Sequence, residues 1–483
     1  MPETMAMDAL VVGAGLSGLI AARQLTDQGL RVCVLEARTR VGGRMVSQTL
    51  SDGSVVDLGG QWGGESHHRF AALVDALGLE RYPSYYGGKG IWCWRGQRVQ
   101  APLADRFADS LLFFEPKALQ LNAKELEATQ ALQQAFTALV AQINPRRPWL
   151  SPDANRLDRL TVAEWAAQHT TVPLARLPLD WLCRVGGSGG FEPWETSILH
   201  LAWTQAVAPQ AEAPEAWLIR GGAGAVAQRL AADLEASSPE SLVLGAPVLA
   251  IEQHSTAVTV HAEGHPPLVA RAVIVAVPPP LRLAIRFDPP LPPAHQALLQ
   301  RTAMGGMTKI LARYARPFWR EQGLNGLGIG DVPWLELTAD SGPPEQQPAV
   351  LASFVAGERA LGLAALPAPE RRALILQDLI AYWGPEAGHP LELVEQAWNS
   401  EPWTGGAFTS FPAPGCWTSH ARLAAGNDDD EPGPAPARHG PIWWAGTEAS
   451  PRWPGYFEGA IEAGERAAAA VAKALATTAS PVP

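Results

Sequence analysis

Six residues near the start of the chain, Gly13-Ala14-Gly15-Leu16-Ser17-Gly18, have the spacing that binds a dinucleotide by its pyrophosphate. Each glycine answers a separate demand. Gly13 permits a tight turn, Gly15 lets the backbone approach phosphate, and Gly18 allows a helix to pack closely on a strand. The helix that follows, with Ser17 in its first turn, points free N–H groups and a positive partial charge at the phosphates. Glu36 comes 23 residues after Gly13, where a carboxylate accepts hydrogen bonds from ribose hydroxyls. An acid there disfavours NADP and leaves NAD and FAD both open. Ala37 and Arg38 follow it, then Gly42-Gly43-Arg44. The paired glycines permit close backbone approach, and the Arg44 guanidinium can fork two phosphate oxygens.

These residues need a strand, a helix and a second strand to hold them, and the sequence supplies all three. Ala9 to Val12 reads as a buried strand, an amphipathic helix runs to about Gln28, and a second strand spans Arg31 to Leu35. Farther on, Leu249 to Val260 reads as strand, turn and strand, and Ala272 to Val277 as a buried strand. The Ala, Glu and Lys content up to about Leu475 predicts a helix. Pro-rich joints at Val277–Pro280 and Pro289–Pro293 mark stiff crossings, and residues 424–440 predict an exposed loop.

Composition narrows the classes. With 483 residues, 47% hydrophobic and 18% charged, the chain is globular and long enough for two cores. A net charge of −11 argues against a nucleic-acid partner. Cys33, Cys93, Cys183 and Cys416 form neither a disulfide framework nor a CxxC pair, so no metal site and a reduced, cytoplasmic setting are expected. No uninterrupted apolar run reaches about 18 residues, so no membrane partner is expected. The 18 tryptophans can fill a core or line an apolar cavity.

The segment Glu36–Arg44, followed by Val56-Asp57-Leu58-Gly59-Gly60-Gln61-Trp62, resembles the flavin-containing amine oxidase family of the monoamine oxidase type. The likeness follows nearly the whole chain in order. It implies a fold of class α/β plus α+β: a Rossmann-type FAD-binding domain (1–85, 218–290 and 395–475) interleaved with a substrate domain of mixed sheet and helices (86–217 and 291–394). A tail, 476–483, follows. The cofactor implied is FAD. Arg44 is expected beside its diphosphate, Gly59, Gly60, Gln61 and Trp62 near the ribityl chain and flavin edge, and Val248 at the adenine. Gly446, Thr447 and Glu448 are expected along the ribityl and diphosphate region. Gly455, Tyr456 and Phe457 precede a helix whose N-terminus faces the flavin N1/O2 edge. Ala407 stands where monoamine oxidases carry the cysteine joined to flavin, so non-covalent FAD is expected. Cys416 lies beyond that position.

The resemblance also places four residues at the reacting end. Lys309, in Met304-Gly305-Gly306-Met307-Thr308-Lys309, matches the lysine that reaches flavin N5 through water, and burial would depress its pKa. Trp398 matches a tryptophan beside the ring. Phe408 and Tyr456 match the two walls of an aromatic cage. An alkyl amine with a pKa near 10.4 must lose a proton before it yields hydride, at roughly 4–5 kcal/mol near pH 7, and an apolar cage lowers that cost. The reaction implied is hydride transfer from a neutral amine to N5, hydrolysis of the imine to a carbonyl, and reduction of dioxygen to hydrogen peroxide. An L-amino acid oxidase would need an arginine clamp, for which Arg69, Arg220, Arg313 and Arg452 are available in no matching motif. A flavin dehydrogenase with another acceptor is a second alternative. Substrate-reading residues are expected in Ser188–Glu192 and near Trp203, with Glu192 or Glu195 available to bind a second amino group. Nothing in the pattern sets the oligomeric state.

Overall fold

A computed structural model of the chain describes residues 7–105, 110–186, 189–208, 215–425 and 438–478. Strand β1 (Met7–Val12), helix α1 (Leu16–Asp27) and strand β2 (Val32–Glu36) form the opening unit, with β1 parallel to β2. They sit inside a nine-stranded mixed sheet. On the other side of β1 runs Leu268–Val275, also parallel, then the antiparallel pair Val258–Ala262 and Val248–Gln253. Ile442–Trp444 joins from the far end of the chain, parallel to Leu268–Val275.

Small residues let the layers above this sheet close up. A Cβ added at Gly18 would lie 2.0 Å from the Gly13 carbonyl oxygen, and one at Gly464 would lie 2.4 Å from that of Ser17. Glycine at both places therefore lets α1 meet the turn that follows β1 and the C-terminal helix Phe457–Thr478 beside it. Leu19, Ala22, Leu25, Val226, Leu230, Ile461 and Val471 fill the space between three helices and the sheet.

A second, seven-stranded sheet runs Glu392–Ala397, Met307–Tyr314, Ala349–Ala356, Leu337–Asp340, Leu324–Gly330, Lys89–Trp94 and Gln97–Pro102. Helix Ala368–Trp383 covers one face of it through Ile375, Leu379 and Tyr382. A separate helical core gathers Phe136, Trp165, Leu199, Trp203 and Trp417. Chain segments alternate between the two sheets, which makes this a Rossmann-like dinucleotide-binding fold interleaved with a substrate domain.

Some expected boundaries move. Strand Glu392–Ala397 belongs to the second sheet, so residue 395 lies inside a strand rather than at a crossing. The last helix runs to Thr478, past the expected start of a tail, and residues 479–483 lie outside the described residues. Within the expected loop 424–440, residues 426–437 also lie outside them. Arg438–His439 is a short strand paired with Ile442–Trp444, because a sheet edge is there to receive it. Among the described residues, no helix is long and apolar enough to cross a membrane, and no cluster of side chains could hold a metal.

Candidate active site

An elongated cavity opens at the C-terminal ends of β1 and β2. Its empty volume, counting its mouth, is about 1490 Å³. Gly13, Gly15 and Ser17 line it from the turn and first helical turn. Gly13 has φ +103°, which favours glycine, and a Cβ at Gly15 would touch nothing within 4 Å. No side chain caps α1, so its first amides face the cavity. Glu36, only 3% exposed, accepts hydrogen bonds from the Ala14 amide (2.7 Å) and the Arg38 amide (3.0 Å). Its carboxylate thus fixes the turn, and it lines the cavity with Ala37, Arg38 and Val248. The Gly42 amide donates to the Ala14 carbonyl (2.8 Å), laying the Gly42-Gly43-Arg44 turn against the first one. Gly446 closes the opposite side, its amide donating to Ser17 Oγ at 3.0 Å, with Thr447 beside it.

Arg44 lines the cavity, and its guanidinium is held by two protein partners. Nη1 donates to Glu448 Oε1 (2.6 Å) and to the Phe408 carbonyl (2.8 Å), and Nη2 donates to Glu448 Oε2 (3.2 Å). The fork holds the carboxylate of Glu448, which is buried and needs a cation. Burial alone would raise the Glu448 carboxyl; Arg44 outweighs it and holds the group below its ordinary value. Glu448 therefore backs Arg44 rather than lining this cavity. Gly18 serves the packing expected of it, against the Gly13 turn, and Gln61 and Trp62 line a second cavity that shares Gly59 and Gly60 with this one.

At the far end lie Gly59, Gly60, Lys309, Trp398, Ala407, Phe408, Gly455, Tyr456 and Phe457. Lys309 rises from strand Met307–Tyr314 and is 2% exposed. Its Nζ donates to the Gly59 carbonyl at 2.8 Å and to Gln61 Oε1, and it sits 5.6 Å from the Trp62 ring and 5.8 Å from the Phe354 ring. Burial lowers its pKa from 10.5 to about 7, with Asp57 opposing. Trp398 donates from Nε1 to the Leu58 carbonyl (3.1 Å), bracing the strand that leads to Gly59.

Phe408 and Tyr456 stand where this cavity meets a second one, and they line both. Phe408 meets the Phe354 ring edge-on at 6.0 Å. Tyr456 is braced by Trp453 (5.1 Å) and His67 (5.3 Å). His67, which sequence reasoning missed, accepts the Gly64 amide at Nδ1, and burial lowers its pKa to about 4, so it is neutral. Trp62, Tyr85, Phe113 and Trp181 wall the second cavity, with Asn325, Asp340 and Glu215 among them.

The residues expected to read the substrate lie elsewhere. Glu192 accepts from Arg184 (2.9 Å) and the Glu358 amide (3.0 Å) and is committed to them. Glu195 accepts the Glu192 amide. Trp203 donates to the Pro145 carbonyl and borders a third cavity, and Ser188 lies outside the described residues. Arg69, Arg220, Arg313 and Arg452 are each paired with acids, and none lines either of the two joined cavities.

The residues fit a flavin dinucleotide: a glycine cradle with open space at Gly15, an uncapped helix N-terminus, an acid at one end and an aromatic wall at the other. Comparison with known proteins agrees. A model of flavin-containing amine oxidoreductases matches residues 16–472. The chain is 39% identical to an L-amino acid dehydrogenase of Synechocystis sp., over 98% of this chain and 96% of that one. It is 34% identical to putrescine oxidase of Kocuria rosea, over 96% and 95%. Among solved structures, putrescine oxidase bound to putrescine superposes with a TM-score of 0.85 at 30% identity, covering 97% of this chain and 99% of that one. Cyclohexylamine oxidase from Brevibacterium oxydans gives 0.85 at 31% identity, covering 98% and 100%.

Proposed function

The chain belongs to the family of flavin-containing amine oxidoreductases, and from that premise we propose that it takes hydride from the carbon beside a neutral amine nitrogen, with FAD held non-covalently and dioxygen as the final acceptor. FAD, when bound, supplies the two-electron sink. Water then hydrolyses the imine to a carbonyl compound, and hydrogen peroxide is the reduced product.

One observation carries this reading: buried Lys309 and the rings of Phe408 and Tyr456 gather where the cofactor cavity meets the aromatic one. A lysine that titrates near 7 can take or return a proton at neutral pH. The two rings exclude water and disfavour the ammonium form of the substrate. Ala407 offers a methyl group, not a thiol, to the cofactor cavity. Cys416, 1% exposed, lines neither of the two joined cavities, so no cysteine stands ready to bond the flavin. Four buried thiols suit a reducing, cytoplasmic setting.

A second reading, dehydrogenation of an L-amino acid with another acceptor, is favoured by the 39% identical relative of that name. It needs a cation for the substrate carboxylate, and the described lining of the aromatic cavity holds no arginine or lysine. One experiment decides between the two. Purified yellow protein, mixed without oxygen with amines and with L-amino acids, should lose its flavin absorbance with amines. Readmitted oxygen should give one peroxide per amine consumed, and acid precipitation should leave the flavin in the supernatant. Bleaching by L-amino acids alone, without peroxide, would establish the second reading.

A further inference from the structure

The aromatic cavity has two unlike ends. Gly59, Gly60, Phe408 and Tyr456 form the inner one, shared with the cofactor cavity. The outer one is built where strand Arg81–Pro83 pairs with Trp217–Ile219. Just beyond that pairing, the Ser84 amide donates to the Ala216 carbonyl (2.9 Å) and the Tyr86 hydroxyl to the Glu215 carbonyl (3.0 Å). Ser84, Tyr86 and Glu215 are thereby set side by side. The chain continues to Lys89, whose amide donates to the Gly323 carbonyl (3.0 Å) and brings Asn325 to the same end. Tyr86 is 38% exposed, so this end faces solvent.

Three polar groups on this lining have no side-chain partner among the described residues. Ser84 Oγ is buried and unbonded. Asn325, 1% exposed, has its Oδ1 held by the Leu327 amide at 3.0 Å, which leaves Nδ2 as a buried donor with no acceptor. The half-buried Glu215 carboxyl receives only its own backbone N–H. Asp340, the other acid here, is already taken by Trp319, Arg320 and the Gly342 amide. Buried polar groups in native proteins find partners, from solvent or from a ligand.

Resting on the amine-oxidation reading above, we propose that the substrate is a diamine, its reacting nitrogen between Phe408 and Tyr456 and its second amino group held at the outer end by Glu215, Ser84 and Asn325. As an ammonium the second amino group has three N–H donors, for the Glu215 carboxylate, Ser84 Oγ and the second lone pair of Asn325 Oδ1, whose first accepts the Leu327 amide. A hydroxyl tail has one proton and cannot serve all three acceptors; a methyl tail serves none. Burial raises Glu215 to about 7, and an ammonium brought beside it restores the carboxylate.

The test uses FAD-loaded protein and three five-carbon probes: 1,5-diaminopentane, 5-aminopentan-1-ol and n-pentylamine. Calorimetry gives each dissociation constant, and oxygen uptake gives each kcat/KM. The diamine should lead both other probes by roughly tenfold or more. Glu215→Gln should bring that ratio close to one, and Asn325→Leu should lower it less. Because the ratio is internal, a variant that merely folds poorly lowers all three probes and leaves it unchanged. Equal binding of all three probes, or a ratio that survives in Glu215→Gln, overturns the proposal. Tight, Glu215-dependent diamine binding with no bleaching of the flavin would instead uphold this subsite and sink the amine-oxidation reading.

Discussion

The cofactor cavity and the aromatic cavity share a wall, yet they are made of different material. The first is built from main chain: Gly13, Gly15, Gly42, Gly43, Gly59 and Gly446 line it, and amides set its contours. The second is built from side chains carried by segments far apart in sequence, among them Trp62, Tyr85, Trp181, Asn325 and Phe354. A main-chain site tolerates no added atom where backbones touch. A side-chain site can change its contents while its frame stays put. The difference predicts where a substitution abolishes loading and where it only alters turnover or preference.

The largest effect should come from the smallest addition. Gly18→Ala places a methyl group 2.0 Å from the Gly13 carbonyl oxygen, which forces α1 away from the turn after β1. We expect soluble protein to emerge nearly colourless and destabilised by several kcal/mol, at the upper end for a single substitution. A yellow, stable Gly18→Ala protein would break the contrast between the two cavities.

Lys309→Met should keep the colour and lose about 10²–10⁴-fold in flavin reduction rate by stopped flow. Its stability has a characteristic dependence on pH. The folded pKa, about 7, lies below the unfolded 10.5, so between these values the unfolded chain holds a proton that the folded chain has released. Stability contributed by this residue is therefore lowest below about pH 7 and recovers as pH rises toward 10.5. Relative to the parent, the Met variant should gain most at pH 6, by an amount on the order of a few kcal/mol, and the gain should shrink by pH 10. Melting curves across that range would read it, and a flat difference would remove the near-neutral lysine from the account.

The smallest effect belongs to a supporting residue. His67→Leu removes the ring that packs edge-on against Trp453 (4.6 Å) and Tyr456 (5.3 Å). Flavin content should hold, while kcat/KM falls by a few-fold, since a modest displacement of a positioning ring costs rate rather than binding of the cofactor. An unchanged kcat/KM would show that Tyr456 keeps its place without His67.

The same contrast explains what the sequence made legible. Glycine at a fixed spacing is a local demand of the backbone, so Gly13 to Gly18 and Gly42-Gly43 could be read directly, with the strands and helix around the first of them, while Gly59-Gly60 was placed by resemblance to the family. Arg44 was legible as a residue but not as a contact, because its partner Glu448 is 404 positions away. Glu215, Asn325, Tyr85 and Trp181 belong to no motif; only the folding of two sheets against a helical core brings them to one space. Glu192 stood out for the opposite reason. It lies in a glycine-rich stretch that looks accessible in sequence, while Arg184 and the Glu358 amide engage it in the fold.

The guanidinium of Arg44 joins the two materials. It grips the carboxylate of Glu448 behind the cofactor cavity and the carbonyl of Phe408 at the cage at once. The cage residue therefore hangs from the same bracket as the phosphate loop, and neither can drift without tugging the other. A protein emptied of flavin should thus keep its doorway for amines in shape, ready before the pigment arrives.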